Sequence, residues 1–372
     1  MPIIVSLSGV FAVPMFRSCC RLGLAASLAL FTSGVLPAEV EAATATRAGT
    51  GAAAVSAARK TTVGTRRAQS TRRRVSTTPR VSSSRARRAR LARARATQRA
   101  REYREASTPL FRTAADGSTV PSIRAEAAII YNPVTQQVLW EENAQDKRSI
   151  ASITKVMTAI VFLESNPDLT QEVTVERSDV YAASTTYLRR NERITLGNLL
   201  HLTLIASDNA AARALARLSP GGTERFIERM NQKAVELGLQ STSFTDPSGL
   251  KAENISSAYD LSRLISFAAA DERIAPIMRT AEYKVSTSRR TITIHNTNRL
   301  VTGGEVDVVG GKTGFITKAG YCLATLLRLP QGNQVAVVVL GANSNTGRFW
   351  ETRHIFNWLS TKAADVFAKD PQ

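Results

Sequence analysis

The feature that most restricts this fold is a stretch that cannot enter a core. From residue 43 to about 105 the chain is mostly Ala, Arg, Ser and Thr, as in Arg72-Arg73-Arg74 and Arg85-Ala86-Arg87-Arg88-Ala89-Arg90. Self-repulsion and chain entropy favour disorder in such a segment, although Ala89–Arg104 lacks Gly and Pro and is able to become helical against an anionic partner. The protein has 372 residues and a net charge of +19. About eighteen basic residues and the single acid Glu102 lie between Ala43 and Arg104, which leaves about +2 for everything else. Basicity is therefore a property of one arm. A packed domain has to be built from about Pro121 onwards.

Upstream of the arm, Arg17 and Arg21 precede an apolar run from Leu22 to Leu36, and Val40-Glu41-Ala42 offers a small-residue cleavage site. That run is short of the ~20 residues a membrane span needs. An uncleaved anchor is the alternative, and Met15 is an alternative start. The expected organisation is a signal peptide at 1–42, a basic disordered arm at 43–120 and a catalytic domain at 121–366. The product would be exported to the periplasm or cell envelope. Cys322, flanked by Tyr321 and Leu323, reads as a buried small hydrophobe. No paired Cys or His spacing suggests zinc.

Within the domain, Ala127–Tyr131 and Gln137–Trp140 read as strands around the turn Asn132-Pro133. Residues 150–163 are apolar around the whole circumference of a helix, which marks it as buried. Ser149 is expected to cap that helix, placing Ser152 in its first turn. Helical patterns follow at Leu196–Ala206, Ala210–Leu218, Thr223–Leu237 and Ser257–Ala270. Tyr321–Leu329 and Gln334–Leu340 read as a hairpin, and Arg348–Leu359 as a final helix. Strands at both ends around a helical middle predict one sheet built from both termini, with a helical insert.

Three short patterns occur in order: Ser152-Ile153-Thr154-Lys155 (S-x-x-K), Ser207-Asp208-Asn209 (S-x-N) and Lys312-Thr313-Gly314 (K-T-G). Each is weak alone. Ser248-Gly249-Leu250-Lys251 is a second S-x-x-K, but its glycine and the preceding Asp246-Pro247 assign it to a turn. Ser152 and Lys155 share a face of a buried helix. A serine hydroxyl needs a base to become a nucleophile, and none of His201, His295 and His354 has a triad context. Lys155 serves if it is neutral; burial, and a second cation such as Lys312, would lower its pKa. Lys312 is then the fixed positive charge. Ser207 is expected to relay a proton to the leaving amine. Asn209 would order Lys155 or the substrate amide, with a simple helix N-cap as the bland reading of that trio. Gly310, Gly311 and Gly314 would let a peptide backbone lie close to the Lys312 strand. The backbone N–H groups of Ser152 and Phe315 would form an oxyanion hole.

This motif set is shared by penicillin-binding proteins and class A β-lactamases. The stretch from about Glu126 to Leu359 resembles the low-molecular-mass penicillin-binding proteins, and within them the D-alanyl-D-alanine endopeptidase type. Ala151–Ala159 is its densest part, supported by Pro220-Gly221-Gly222, Pro247-Ser248-Gly249-Leu250, Asn296-Thr297-Asn298 and Lys312-Thr313-Gly314-Phe315. The resemblance implies an α/β fold of the α+β type, β-lactamase/transpeptidase-like: an antiparallel sheet flanked by helices, with an all-helical subdomain carrying Ser207. It implies catalysis by Ser152, Lys155, Ser207 and Asn209, and substrate binding by Lys312, Thr313, Gly314 and Phe315. The reaction would be acylation of Ser152 by the D-alanyl carbonyl of peptidoglycan stem peptides, then hydrolysis. β-Lactams would act as acylating inhibitors, and no metal or organic cofactor is implied.

A class A β-lactamase would need an E-x-x-x-N loop, which is missing between Asn209 and Lys312. A nucleic-acid binder would suit the arm's charge, but the arm has no interleaved aromatics and no recognition motif. Anionic envelope polymers or lipid are the arm's expected partners. A catalytically silent wall-binding homologue conflicts with the full set of motif side chains. Carboxypeptidases of the resembling family often add a C-terminal β domain and a membrane-binding helix. The chain ends at Gln372, so the expectation is an endopeptidase cleaving D-Ala–diaminopimelate crosslinks, with a D-Ala-D-Ala carboxypeptidase as the alternative.

Overall fold

The computed structural model describes residues 81–367. The expected signal peptide and the arm up to residue 80 lie outside them. The first element is a long helix, α1 (Val81–Ser107), followed by a small hairpin of β1 (Leu110–Thr113) and β2 (Thr119–Ser122). Both lie in the stretch expected to be disordered, and the boundary drawn at 121 falls inside β2. Ala and Arg are strong helix formers and nothing between 81 and 107 breaks the pattern. The hairpin is held from outside itself: Phe111 packs edge-on against His354, and the His354 ring nitrogen Nε2 lies 2.7 Å from the Leu110 carbonyl.

The chain then forms β3 (Ala127–Tyr131) and β4 (Val138–Glu142), a short β5 (Arg148–Ser149), a 3₁₀ turn (Ala151–Ile153) and α2 (Thr154–Glu164). The insert comprises β6 (Glu172–Thr174), α3 (Arg177–Val180), β7 (Arg193–Thr195), α4 (Leu196–Leu204), α5 (Asn209–Leu218) and α6 (Gly222–Glu236). The return passes through β8 (Ile255–Ser256), α7 (Ala258–Ala270), α8 (Ala275–Met278) and the hairpin β9 (Glu282–Ser286) and β10 (Thr291–His295). After α9 (Leu300–Gly303) come β11 (Asp307–Ile316), β12 (Gly320–Arg328), β13 (Gln334–Ala342) and α10 (Asn345–Phe367).

Strands β11-β12-β13-β3-β4 form one antiparallel sheet in that order, with β3 paired to β13. The sheet is thus built from both ends of the domain, as the pattern of runs predicts. Its two faces feed different cores. Ile129 and Val338 point to the side of α7 and the helical insert; Ile130, Val337 and Val339 point to the side of α10 with Ile355 and Phe356. Strands covered on both faces read as continuous apolar runs, and each fully buried Val, Ile or Leu contributes about 1.5–3 kcal/mol.

Helix α2 runs between α7, which covers the sheet, and the helices of the insert, with every residue from Thr154 to Leu163 buried. Ser149 does not cap it. Ser149 is paired with Ile255 in β5, and the chain enters the helix through the 3₁₀ turn, with Ala151 at φ +49°. The buried entry leaves no room for an ordinary cap, so the turn itself brings Ser152 to the helix mouth.

Candidate active site

The 3₁₀ turn, the start of α5, the turn after Pro247 and the strand β11 converge on Lys155. That side chain is fully buried. Its Nζ lies 2.9 Å from Ser152 Oγ, 2.7 Å from Asn209 Oδ1 and 2.5 Å from the Ser248 carbonyl. Asn209 is oriented by its own Nδ2, which donates to the Ala183 carbonyl at 2.8 Å. Its Oδ1 can therefore only accept, and so can the Ser248 carbonyl. A neutral amine has two hydrogens and one lone pair. The two acceptors take the hydrogens, and the lone pair is left facing the Ser152 hydroxyl.

Burial pushes the Lys155 pKa down to about 7; Asp208 and Asp246 oppose that shift and Arg213 adds to it. Lys155 is thus close to half neutral near physiological pH, as a base needs to be. The sequence assigned part of this shift to Lys312. The two buried lysines disfavour charge on one another, in keeping with that assignment, and Arg213 adds to the effect on Lys155.

Lys312 is also buried, at 1% exposure, and donates to Ser207 Oγ at 2.7 Å and to its neighbour's carbonyl, that of Thr313, at 3.0 Å. Burial holds its pKa well below the ordinary lysine value, with Lys155 and then Arg348 adding to the effect. The two neutral oxygens beside it compensate little of its lost hydration. A carboxylate beside it would favour the charged form.

Ser207 sits at φ +60°, a left-handed conformation that costs a non-glycine residue about 1–3 kcal/mol. Asp208 caps α5 through a 2.9 Å bond from the Ala211 N–H and accepts the Tyr187 N–H at 2.6 Å. The bland cap reading of this trio is therefore correct for Asp208, while Ser207 and Asn209 contact the two lysines.

Thr313 donates to Thr297 Oγ1 at 2.8 Å. A Cβ on Gly314 would lie 2.6 Å from the Ile150 carbonyl and 3.3 Å from the Ala151 Cβ. The glycines of β11 thus admit other parts of the protein, where the sequence suggested room for a peptide: Gly310 faces Met278, and Gly311 faces Asn298 and Thr325. Close packing at Gly314 brings β11 against the Ser152 turn and sets the Phe315 backbone beside it. The Phe315 ring is 48% exposed and stacks on Tyr321 at 4.2 Å.

Several contributors were not singled out as site residues in the sequence. The Ser248 carbonyl reaches Lys155 because Asp246 organises its turn, accepting the N–H groups of Ser248, Gly249 and Lys251 at 2.6–2.8 Å. The Asp-Pro-Ser-Gly run signals such a turn but not where it docks. Arg348 of α10 donates to the carbonyls of Gly314 at 2.9 Å and Cys322 at 3.2 Å, tying β11 to the helix. Cys322 is buried and its thiol is pushed up to about 11 by burial, as an inert core residue should be.

Known proteins share this architecture. A D-alanyl-D-alanine carboxypeptidase family pattern matches residues 114–344. The D-alanyl-D-alanine endopeptidase of Escherichia coli K12 is 34% identical over 253 residues, which covers 67% of this chain and 81% of that one. The carboxypeptidase DacF of Bacillus subtilis is 34% identical over 228 residues, covering 59% and 58%. The crystal structure of the Streptomyces K15 DD-transpeptidase superposes with a TM-score of 0.61 at 30% identity, covering 65% of this chain and 98% of that one. With its Ser–Lys pair, second lysine and sheet topology in the same chain order as the motifs, this protein belongs to the D-alanyl-D-alanine carboxypeptidase family of serine peptidases.

Proposed function

We propose that this protein hydrolyses D-alanyl bonds in peptidoglycan stem peptides through an acyl-enzyme on Ser152, and that crosslinks are its preferred substrate. One observation carries the chemistry: the two obligate acceptors on Lys155 leave its lone pair to Ser152 Oγ. Ser152 Oγ attacks the D-alanyl carbonyl carbon and its proton passes to Lys155 Nζ. The Ser152 and Phe315 backbone N–H groups receive the developing oxyanion. Ser207 relays the proton from Lys155 to the leaving amine, the C–N bond breaks and the ester remains. Lys155 is then neutral again, ready to take a proton from the attacking water and return it to Ser152 Oγ. Water then attacks the ester and restores Ser152. Lys312 and Thr313 bind the carboxylate next to the scissile amide, and that carboxylate supports the Lys312 charge. β-Lactams, which present a carboxylate and a strained amide, would acylate the same serine.

The crosslink preference is supported by the relatives from Escherichia coli, Haemophilus influenzae and Pseudomonas aeruginosa, at 32–36% identity, all named D-alanyl-D-alanine endopeptidase. Such a substrate places the enzyme in the cell envelope. The deciding experiment supplies purified crosslinked muropeptide dimers and pentapeptide monomers in parallel. Faster conversion of dimer to monomer is expected; rapid release of free D-Ala with dimers left intact would make it a carboxypeptidase. Acylation should also fall below about pH 7 as Lys155 gains its proton, with a plateau above it.

A further inference from the structure

We propose that α1 is a docking rod for the carboxylates of the peptidoglycan polymer, which holds the enzyme on its substrate independently of the catalytic site. This inference rests on the substrate class proposed above. Every residue from Ser84 to Gln98 is exposed, and Leu91 is the only large apolar side chain among them. Arg85, Arg87, Arg88, Arg90, Arg93 and Arg95 fall in that stretch, and none of them pairs with an acid among the described residues. At about 100° per residue the six surround the helix, with no gap wider than about 80°.

That distribution selects the partner. A helix lying on a bilayer needs an apolar face to bury, and α1 has none. A flat surface would engage one side of the rod and leave the other arginines unpaired. A polymer mesh whose peptides carry carboxylates can approach from every side. It would also relieve the repulsion between Arg85 and Arg88, Arg87 and Arg90, and Arg90 and Arg93, which are neighbours on the helix surface. The rod is anchored at its other end: Tyr103 packs edge-on against Trp350 of α10 at 5.6 Å. Two residues earlier on α10, Arg348 holds the active-site strand through the Gly314 carbonyl. A wall-bound α1 therefore keeps the site at high effective concentration of crosslinks.

The test uses the full chain with Ser152→Ala, so that the wall is not consumed. It should co-sediment with purified sacculi at about 50 mM salt and lose about tenfold or more of that binding at about 500 mM, since the Debye length shrinks. Adding Arg85→Gln, Arg87→Gln, Arg88→Gln, Arg90→Gln, Arg93→Gln and Arg95→Gln should lower low-salt binding about tenfold. Lysine at the same six positions should preserve it. In the active chain the glutamine set should leave hydrolysis of soluble muropeptides within about twofold. Equal sacculus binding by the glutamine set, or loss of binding by the lysine set, overturns the proposal. So does tighter low-salt association with duplex DNA or with vesicles containing anionic lipid, which would assign the rod to another partner. Absence of muropeptide hydrolysis by the unmodified protein would defeat the functional reading, while the sacculus assay reads the rod alone.

Discussion

The chain contains two S-x-x-K segments, and they are in contact. In the first, Ser152 and Lys155 lie 2.9 Å apart at the mouth of a buried helix. In the second, the Ser248 hydroxyl is buried and committed to Asp246 Oδ1 at 2.6 Å, while Lys251 is exposed. Yet the second segment is part of the site. It contributes a carbonyl to Lys155, and Gly249 packs so closely that a Cβ there would lie 2.0 Å from the Ala151 carbonyl oxygen. Identical spacing yields a side-chain Ser–Lys pair in one place and a backbone scaffold in the other. What separates them is the helix, which sets side chains three apart on one face; a turn at φ +78° points its backbone instead.

That contrast can be broken most severely at the first segment. Ser152→Ala should abolish covalent labelling by a tagged penicillin, and Lys155→Ala should slow acylation about 10²–10⁴-fold. Undiminished labelling of the Ser152 variant would show that the nucleophile has been misassigned.

The next largest effect is expected from Gly249→Ala. The positive φ costs about 1–3 kcal/mol, and the collision with Ala151 moves the turn that carries Ser152. A displacement near 1 Å reduces acylation about a hundredfold. Thermal melting with acylation kinetics measures both effects. Wild-type rates at unchanged stability would mean that the second segment does not brace the first.

Asp246→Asn separates the electrostatic part. The carboxylate favours the charged form of Lys155. Without it the amine loses its proton at lower pH, so the acid limb of acylation should move acidwards by about half to one pH unit. Ser248→Ala removes only a hydroxyl bonded to Asp246 and should leave the limb in place. A limb that moves equally in both variants would locate the effect in the loop's shape, with no separate role for its charge.

The smallest effect is at Lys251. Lys251→Ala should change stability by less than about 0.5 kcal/mol and leave labelling intact, because its backbone N–H and carbonyl, not its side chain, serve the turn. Impaired acylation would give the second segment a chemical role that its geometry does not provide.

The three motifs were legible because each pairs a reactive side chain with a local pattern: a fully apolar helix around Ser152 and Lys155, a helix start at Asn209, a strand at Lys312. The sheet was legible from the apolar runs at Ala127–Tyr131 and Gln334–Leu340, since strands covered on both faces need no polar alternation. The β9–β10 hairpin was not read as such, because its Thr-Ile-Thr-Ile alternation is short and half exposed. The helix over 81–107 was read as disorder that an anionic partner could order in part, because composition reports missing core residues more directly than helix propensity.

The sequence by itself determined the chemical inventory and the helical or extended character of its main carriers, since side-chain types and apolar periodicity are local properties. Only the tertiary structure decided which groups meet. Burial sets the Lys155 proton near pH 7, a turn nearly a hundred residues away supplies one of its acceptors, and Arg213 acts on it in addition to Lys312. The glycines of β11 likewise serve internal packing. Desolvation, Coulomb interactions and close contact depend on distances through space, and distances between remote segments exist only once the chain has folded.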